Sequence, residues 1–401
     1  MQSDNGGIVK SGGGRLTVSG SSSLLYGFSL LEGILSFASP AAGEDSELTL
    51  WGGTLETAGE ESLSLKPIKV GQDNTSVQIF KTETDTTVKP CSVTGRFIKR
   101  GAGKMTVDLT GSDSSFVFTT AGKGSGTQGL PSKAGTTQQF PADGSAPEID
   151  NFSGFTVAEG ELVFKDDPAT RRKHDVKSTM LVGMMTKDGS ADPVLTIDGA
   201  YIDNYHASGH LYLGRNAGHA NTFFRNATLR IVNGGRLDVD TPQFGSESMP
   251  QQKYQVTVAL TNGTLHGVYS LHWSNYERES NPVRILAKDS HLWGNGNAVY
   301  LKGCIEADLD NTYVGKNATT PGNFWVQTWS VANMTGSIAL RNKSVFNINA
   351  WKNINLLAKP FTVSFDDSYY RWGGGDFTLA MESHENSGKP PNPDLFKLEM
   401  R

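Results

Sequence analysis

The run Phe224-Arg225-Asn226-Ala227-Thr228-Leu229-Arg230-Ile231-Val232-Asn233-Gly234-Gly235-Arg236-Leu237-Asp238-Val239 decides how the chain is read. Leu229 and Ile231 alternate with Thr228 and Arg230, and after Asn233-Gly234-Gly235 the alternation resumes at Leu237 and Val239. Period-two alternation puts one set of side chains on one face, the pattern of a half-buried strand. Asn-Gly is a turn signal because both residues tolerate the positive φ that β-branched residues avoid. Alone, the run is a hairpin. Its variants, however, recur along the chain.

The pattern apolar-x-Asn-x-Ser/Thr-apolar occupies Phe224–Leu229, Leu260–Leu265 and Leu340–Val345, with looser forms at Leu309–Tyr313 and Phe365–Tyr369. Spacing between equivalents drifts from 36 residues (264 − 228, Thr228 to Thr264) to 22 (312 − 290, Ser290 to Thr312). Such drift suits a solenoid whose strands keep register while its loops vary in length. A coil of roughly 20–30 residues cannot bury its own apolar face, whereas stacking coils at ~4.8 Å buries a continuous core. The reading predicts Asn226, Asn262 and Asn342 as stacked corner residues in the left-handed region, bonding along the stack. Their N-glycosylation sequons are then by-products of turn chemistry.

The N-terminal part repeats on a longer scale. Lys10, Gly12, Gly14 and Thr17-Val18 return at Lys99, Gly101, Gly103 and Thr106-Val107, an offset of 89 (99 − 10). Gly33 and Phe37 return at Gly160 and Phe164, an offset of 127 (160 − 33). The second copy thus carries 38 extra residues (127 − 89), within a Gly/Ser/Thr-rich excursion over 112–151 that reads as a mobile loop. The expected organisation is a β-repeat region at 1–165, a connecting segment at 166–193, a β-helix body with aromatic-rich loops at 194–385, and a tail at 386–401. Amphipathic helices are scarce. A β-sandwich is the alternative for residues 1–165.

The Lys-x-Gly-x-Gly-Arg/Lys-Leu/Met-Thr-Val element, followed by a strand pair ending Glu-Gly-x-Leu-x-Phe, occurs at 10–37 and 99–164. It resembles the autotransporter-associated β-strand repeat of bacterial surface proteins. Leu211-Tyr212-Leu213-Gly214, with Leu229–Val239, resembles the related passenger motif. Together these cover about a third of the chain. The resemblance implies a right-handed parallel β-helix exported to the cell surface. The sequence ends Lys389-Pro390-Pro391-Asn392-Pro393 and Asp394–Arg401 without that family's membrane barrel, so self-export by this chain alone is not expected. Met1–Gly7 has neither the basic start nor the apolar core of a signal peptide, so the chain is either cytosolic or a mature or excised piece, and the repeats favour the second.

Composition narrows the function classes. Of 401 residues 19% are charged, with a net charge of −5, which lacks the basic footprint of a nucleic-acid binder. Two cysteines, Cys91 and Cys304, cannot make a disulfide scaffold, though a single bridge stays open. No apolar run reaches the ~18 residues of a membrane helix. Arg171-Arg172-Lys173-His174 reads as an exposed basic face, and Met180-Leu181-Val182-Gly183-Met184-Met185 as a buried strand or short helix.

No nucleophile elbow, phosphate loop, zinc-protease helix or paired-cysteine metal site is present. His206, His210 and His219 lie close in sequence, but ordinary loop histidines are the simpler reading; no metal and no cofactor is expected. The informative asymmetry is tryptophan, six of whose seven residues fall between Trp273 and Trp372. Indole faces offer apolar surface to sugar C–H groups, and nearby Asn, Glu and Arg bond hydroxyls. The reading therefore nominates Trp273, Tyr276, Trp293, Tyr300, Trp325 and Trp329 as a glycan-binding flank, with Trp273, Trp293 and Trp325 about one coil apart. The partner would be a polysaccharide or glycoprotein glycan at an extracellular or bacterial surface. The alternatives are aromatics that pack under loops in a structural stalk, or a polysaccharide lyase or glycosidase. Lyase chemistry would draw a base and a carboxylate-neutralising cation from His272, Tyr276, Glu277, Arg278 and Lys302. A hydrolase would need two carboxylates from Glu277, Glu279, Glu306 and Asp308 at ~5 to ~9 Å separation.

Overall fold

The computed structural model describes residues 7–19, 27–39, 47–59, 62–70, 77–89, 93–94, 96–111, 117–119, 155–170, 172–177, 180–185, 191–204, 210–214, 223–224, 226–244, 255–268, 270–274, 283–294, 298–302, 304–315, 325–326, 335–346, 350–351, 360–370 and 396–400. Among them there is no helix, hence none long and apolar enough to cross a membrane. Strand after strand pairs in parallel, residue against residue one coil later, and the fold is a parallel β-helix. Contacts divide the chain into two compact units, Met1–Gly209 with Asn221–Phe223, and His210–Ala220 with Phe224–Arg401.

In the first unit the earliest coils have two walls. Sheet A holds Ile8–Lys10, Phe28–Leu30 and Glu47–Leu50; sheet B holds Arg15–Val18, Ile34–Phe37 and Gly53–Thr57. The third wall, sheet C, begins in the strand Leu63–Val70. Its start pairs with Thr86–Val88 in sheet C and its end with Glu47–Leu50 in sheet A, across a register shift at Leu48/Thr49. Parallel pairing over this region rules out the β-sandwich alternative for residues 1–165. Phe80, Phe97 and Phe155 come from three successive coils of sheet B and stack inside at 5.3 Å between neighbouring rings. Burying each such ring contributes ~1.5–3 kcal/mol before the entropy of ordering it.

The connecting segment supplies strands to the same unit: Lys173–Lys177 in sheet A and Met180–Val182 in sheet B, the latter buried as predicted. The basic cluster there is corrected by strand alternation. Lys173 is exposed and pairs with Asp203, but the next side chain, His174, points inward. Its Nε2 lies 2.8 Å from Asp166 Oδ2, with both side chains buried. Most of the 112–151 excursion lies outside the described residues; Val117–Thr119 within it pairs with Asp175–Lys177.

The Lys-x-Gly-x-Gly element has a structural role that its sequence does not reveal. Lys10 Nζ donates to the carbonyls of Ser11 (2.9 Å), Gly12 and Glu32 (3.1 Å), while the Glu32 carboxylate accepts from Gly12 N (3.1 Å). Lys99 Nζ repeats this on Arg100 (2.9 Å), Gly101 (2.7 Å) and Glu159 (2.9 Å), and Glu159 accepts from Gly101 N (3.0 Å). Each lysine closes a corner and staples it to the next coil. Gly33 and Gly160 have positive φ at the facing corner, where a Cβ would overlap the carbonyl oxygens of Gly12 and Gly101. The two copies nevertheless turn different edges. Lys10 sits between sheets A and B, whereas Lys99 sits between strands Arg96–Arg100 of sheet B and Met105–Asp108 of sheet C. The motif encodes a corner, not a position in the coil.

The second unit has three walls per coil. Sheet C comprises Ala227–Val232, Val256–Thr261, Val283–Lys288, Cys304–Asp310, Thr335–Arg341, Phe361–Phe365 and Phe396–Met400, the last within the expected tail. Sheet A comprises Arg236–Val239, Thr264–Gly267, His291–Gly294, Tyr313–Gly315, Val345–Phe346 and Tyr369–Tyr370. Sheet B comprises His210–Leu213, Thr241–Phe244, Ser270–Ser274, Ala298–Lys302, Trp325–Val326 and Ala350–Trp351.

The corner from sheet C to sheet A carries Asn233, Asn262, Asp289, Asn311, Asn342 and Asp367, all with φ between 43° and 55°. Asn311 Nδ2 donates to Asp289 Oδ1 (2.6 Å) and Asn342 Nδ2 to Asp310 Oδ1 (2.7 Å). Behind them runs a row of hydroxyls. Ser290 Oγ accepts from Gly263 N (3.2 Å), Ser344 Oγ from Thr312 N (3.0 Å) and Ser368 Oγ from Ser344 N (3.1 Å). The predicted corner ladder is therefore present, but Asn226 is not part of it. Asn226 precedes its strand and accepts from Gln255 N (2.7 Å). Thr228 pairs with Thr257, not Thr264, so the first coil step is 29 residues (257 − 228).

Candidate functional site

Corner and register together build a polar strip on the outward side of sheet A in the second unit. After each corner an inward leucine follows: Leu237, Leu265 and Leu292, all fully buried. The residue next to each faces the other way, and the register Asp238↔His266↔Trp293 sets three of them in one column. A second column runs Arg236↔Thr264↔His291↔Tyr313. Four successive strands thus present one charge pair, two imidazoles and two larger aromatic rings.

Arg236 donates to Asp238 through Nε (2.7 Å to Oδ1) and Nη2 (2.8 Å to Oδ2), a bidentate pair. Its guanidinium carbon also stands 5.5 Å from the centre of the Trp293 ring. His266 Nδ1 lies 3.3 Å from Asp238 Oδ1, near enough for attraction but misaligned for a hydrogen bond. Burial works against the Asp238 charge, yet the His266 and Arg236 contacts outweigh it and hold the carboxyl below the usual range. The Trp293 ring meets His266 edge-on at 6.1 Å and His291 at 5.1 Å, with Tyr313 6.4 Å beyond His291. Burial pushes His291 down, favouring its neutral form.

Three atoms of this strip stand out. His266 Nδ1 and Nε2 and Trp293 Nε1 are buried and have no hydrogen-bond partner, although His266 is only 5% exposed. Leaving a buried polar group unpaired costs ~1–3 kcal/mol, and such groups concentrate at functional sites. The column can do two things chemically. Its N–H groups and ring nitrogen can bond ligand hydroxyls, and an imidazole beside a carboxylate is the arrangement of an oriented acid or base.

Among the described residues that the sequence nominated, Trp293 alone joins this strip. His272, Trp273, Tyr300, Lys302 and Trp325 are placed by backbone on sheet B, so Trp273, Trp293 and Trp325 do not share one side as predicted. Within sheet B, His272 and Tyr300 are register partners, whereas the Trp273 position pairs with that of the buried Phe244. Counting one coil between tryptophans failed because loop lengths differ, and each added loop residue shifts the next tryptophan round the coil. Tyr276, Glu277, Arg278, Glu279 and Trp329 lie outside the described residues, as do His206, His219 and Cys91. Glu306 and Asp308 sit on sheet C, tied to Arg284 (3.1 Å) and Arg341 (2.7 Å). Among the described residues no three His, Cys, Asp or Glu side chains group as metal ligands.

Sequence reasoning missed Arg236, Asp238, His266, His291 and Tyr313. A signal existed. Aligned on Asn262 and Asp289, His266 and Trp293 are both four residues past the corner (266 − 262, 293 − 289).

Comparison with known proteins adds little about chemistry. The chain is 28% identical over 145 residues to a putative uncharacterized protein YaiT of Escherichia coli (strain K12), covering 30% of this chain and 14% of that protein. It is 29% identical over 130 residues to the uncharacterized protein YaiT of Salmonella typhimurium, covering 27% of this chain and 13% of that protein. The chain thus spans about a seventh of the length of the curated relatives it matches. No protein-family profile matches it, and no solved structure does.

Proposed function

We propose that the chain is part of a surface-displayed bacterial β-helix protein whose sheet A strip binds glycans. The observation that carries this is that the His266 ring nitrogens and the Trp293 indole N–H, side by side on the outward face of sheet A, make no hydrogen bond within the chain. Saccharide hydroxyls both donate and accept, and would pair the ring nitrogens and the indole N–H once the side chains that shield these atoms turn aside. The half-buried rings of Trp293 and Tyr313 supply apolar edges for sugar C–H groups. The resemblance to autotransporter repeats supports export and display; the uncharacterized relatives offer no ligand of their own.

The direct test is binding to an immobilised oligosaccharide panel by the purified chain and by His266→Ala. The expected result is binding by the wild type and a loss of about tenfold or more in the variant, the effect of one or two hydrogen bonds. An unbound panel would falsify the proposal.

The placing of His266 against Asp238 favours a second reading, in which the same strip cleaves a polysaccharide with His266 as proton carrier. New reducing ends or unsaturated products that vanish in His266→Ala would establish it.

A further inference from the structure

Building on the glycan reading, we infer that the sheet A strip selects neutral, hydroxyl-rich saccharides and discriminates against uronic acids and other anionic sugars. Recognition of a sugar carboxylate calls for a cation whose charge is not already matched, most often an arginine. Arg236 is a cation of the strip, and its charge is matched by Asp238, which its Nε and Nη2 meet at 2.7 and 2.8 Å. It also stands over the Trp293 ring. An arriving carboxylate would meet a neutralised pair and approach the charge of Asp238.

The other groups facing the strip point the same way. His266 adjoins Asp238, so its ring faces a carboxylate within the strip. His291 is held toward its neutral form by burial, and Thr264 and Tyr313 carry hydroxyls. What remains unmatched is dipolar rather than charged: two ring nitrogens and one indole N–H. Groups that donate and accept in a low-dielectric setting reward a hydroxyl, whereas an unpaired anion there meets a desolvation cost without a counter-charge.

The arrangement also says what would invert the preference. Asp238→Asn keeps the shape of the side chain but removes the negative charge that faces Arg236, so the strip becomes more positive and more favourable to a substrate carboxylate.

The test is titration calorimetry of the whole chain with maltohexaose, cellohexaose and mannohexaose against hexagalacturonate and hexamannuronate. A neutral hexamer is expected to bind at least about tenfold more tightly than either uronate, a margin typical of one unpaired charge. Its affinity should not change between about 20 mM and about 300 mM salt, since screening acts on charge pairs alone. Asp238→Asn is expected to raise uronate affinity about tenfold and make it fall with salt. A uronate that binds wild type more tightly than every neutral hexamer overturns this inference while the glycan reading stands. So does a neutral hexamer whose wild-type affinity falls steeply with salt, a result independent of whether the variant folds. If none of the five hexamers binds, the glycan reading itself fails and this inference with it.

Discussion

The two units solve one problem, turning a coil without orphaning its backbone, by opposite chemistry. The first uses charge at two of its corners: a lysine buried beneath the corner, its ammonium spread over three carbonyls, with a glutamate from the next coil on the facing N–H. The second uses small polar side chains at the corner from sheet C to sheet A: asparagines and aspartates in the left-handed region, backed by hydroxyls that each accept an N–H from a neighbouring coil. The lysine corner concentrates many bonds on one side chain, whereas the Asn/Asp corner spreads them over successive coils. The lesson is about failure: the first should break at single residues, the second by small increments.

The largest effect should come from Gly160→Ala. It forces a side chain into φ +62° and against the Gly101 carbonyl, and is expected to cost about 4 kcal/mol or more in urea unfolding. Next is Lys99→Met, which strips three buried carbonyls of their donor at once, about 3 kcal/mol. The same change at Lys10, which is 8% exposed against 0% for Lys99, should cost about 1 kcal/mol because water can reach the corner. Equal losses at both lysines would remove the role assigned to burial.

Lys99 also sharpens the contrast through pH. Burial pushes its ammonium down to about 7, against the pull of the Glu159 carboxylate. The unfolded lysine keeps a pKa of ~10.4, so between these values the unfolded state binds more protons. The contribution of this group is complete above ~10.4 and is lost as pH falls through about 7. Urea stability should therefore rise with pH across that window in wild type, and the same rise should be missing from Lys99→Met.

At the Asn/Asp corner, Ser344→Ala removes an acceptor for Thr312 N and a donor shared by the carbonyls of Leu309 and Arg341, for about 2 kcal/mol. Asn311→Ala should lose only about 1 kcal/mol, from the strained φ of 45° and the bond to Asp289, and Asn311→Gly less still. Thermal melts of the two Asn311 variants order them directly.

The architecture was legible because alternation and turn residues are local. Leu229 and Ile231 announce a buried face whatever lies across from them. Register was not, because it depends on a partner coil that a local pattern cannot see. Two asparagines, Asn226 and Asn233, lie seven residues apart (233 − 226), and the Asn-x-Thr pattern pointed to the one outside the corner. That slip misplaced the Thr228–Thr264 step, whereas Asn262 and Asn342 fall at the corner as read. Asp238, His266 and Trp293 each look like an ordinary outward residue beside a core leucine, and only coil stacking makes them neighbours. The tryptophan-rich composition drew attention to the unit that holds the strip but could not choose the wall.

The lysine staples also differ in reach. Lys10 bonds across 22 residues to Glu32, whereas Lys99 bonds across 60 to Glu159. Closing the longer loop costs about 0.9 kcal/mol more of chain entropy, by the logarithm of the two lengths. The second staple therefore belongs to the slower part of folding, since its partners lie further apart in the chain. Shortening the chain between Ala121 and Ser145, which spares the paired strand Val117–Thr119, should quicken refolding in stopped-flow measurements while changing the unfolding rate less.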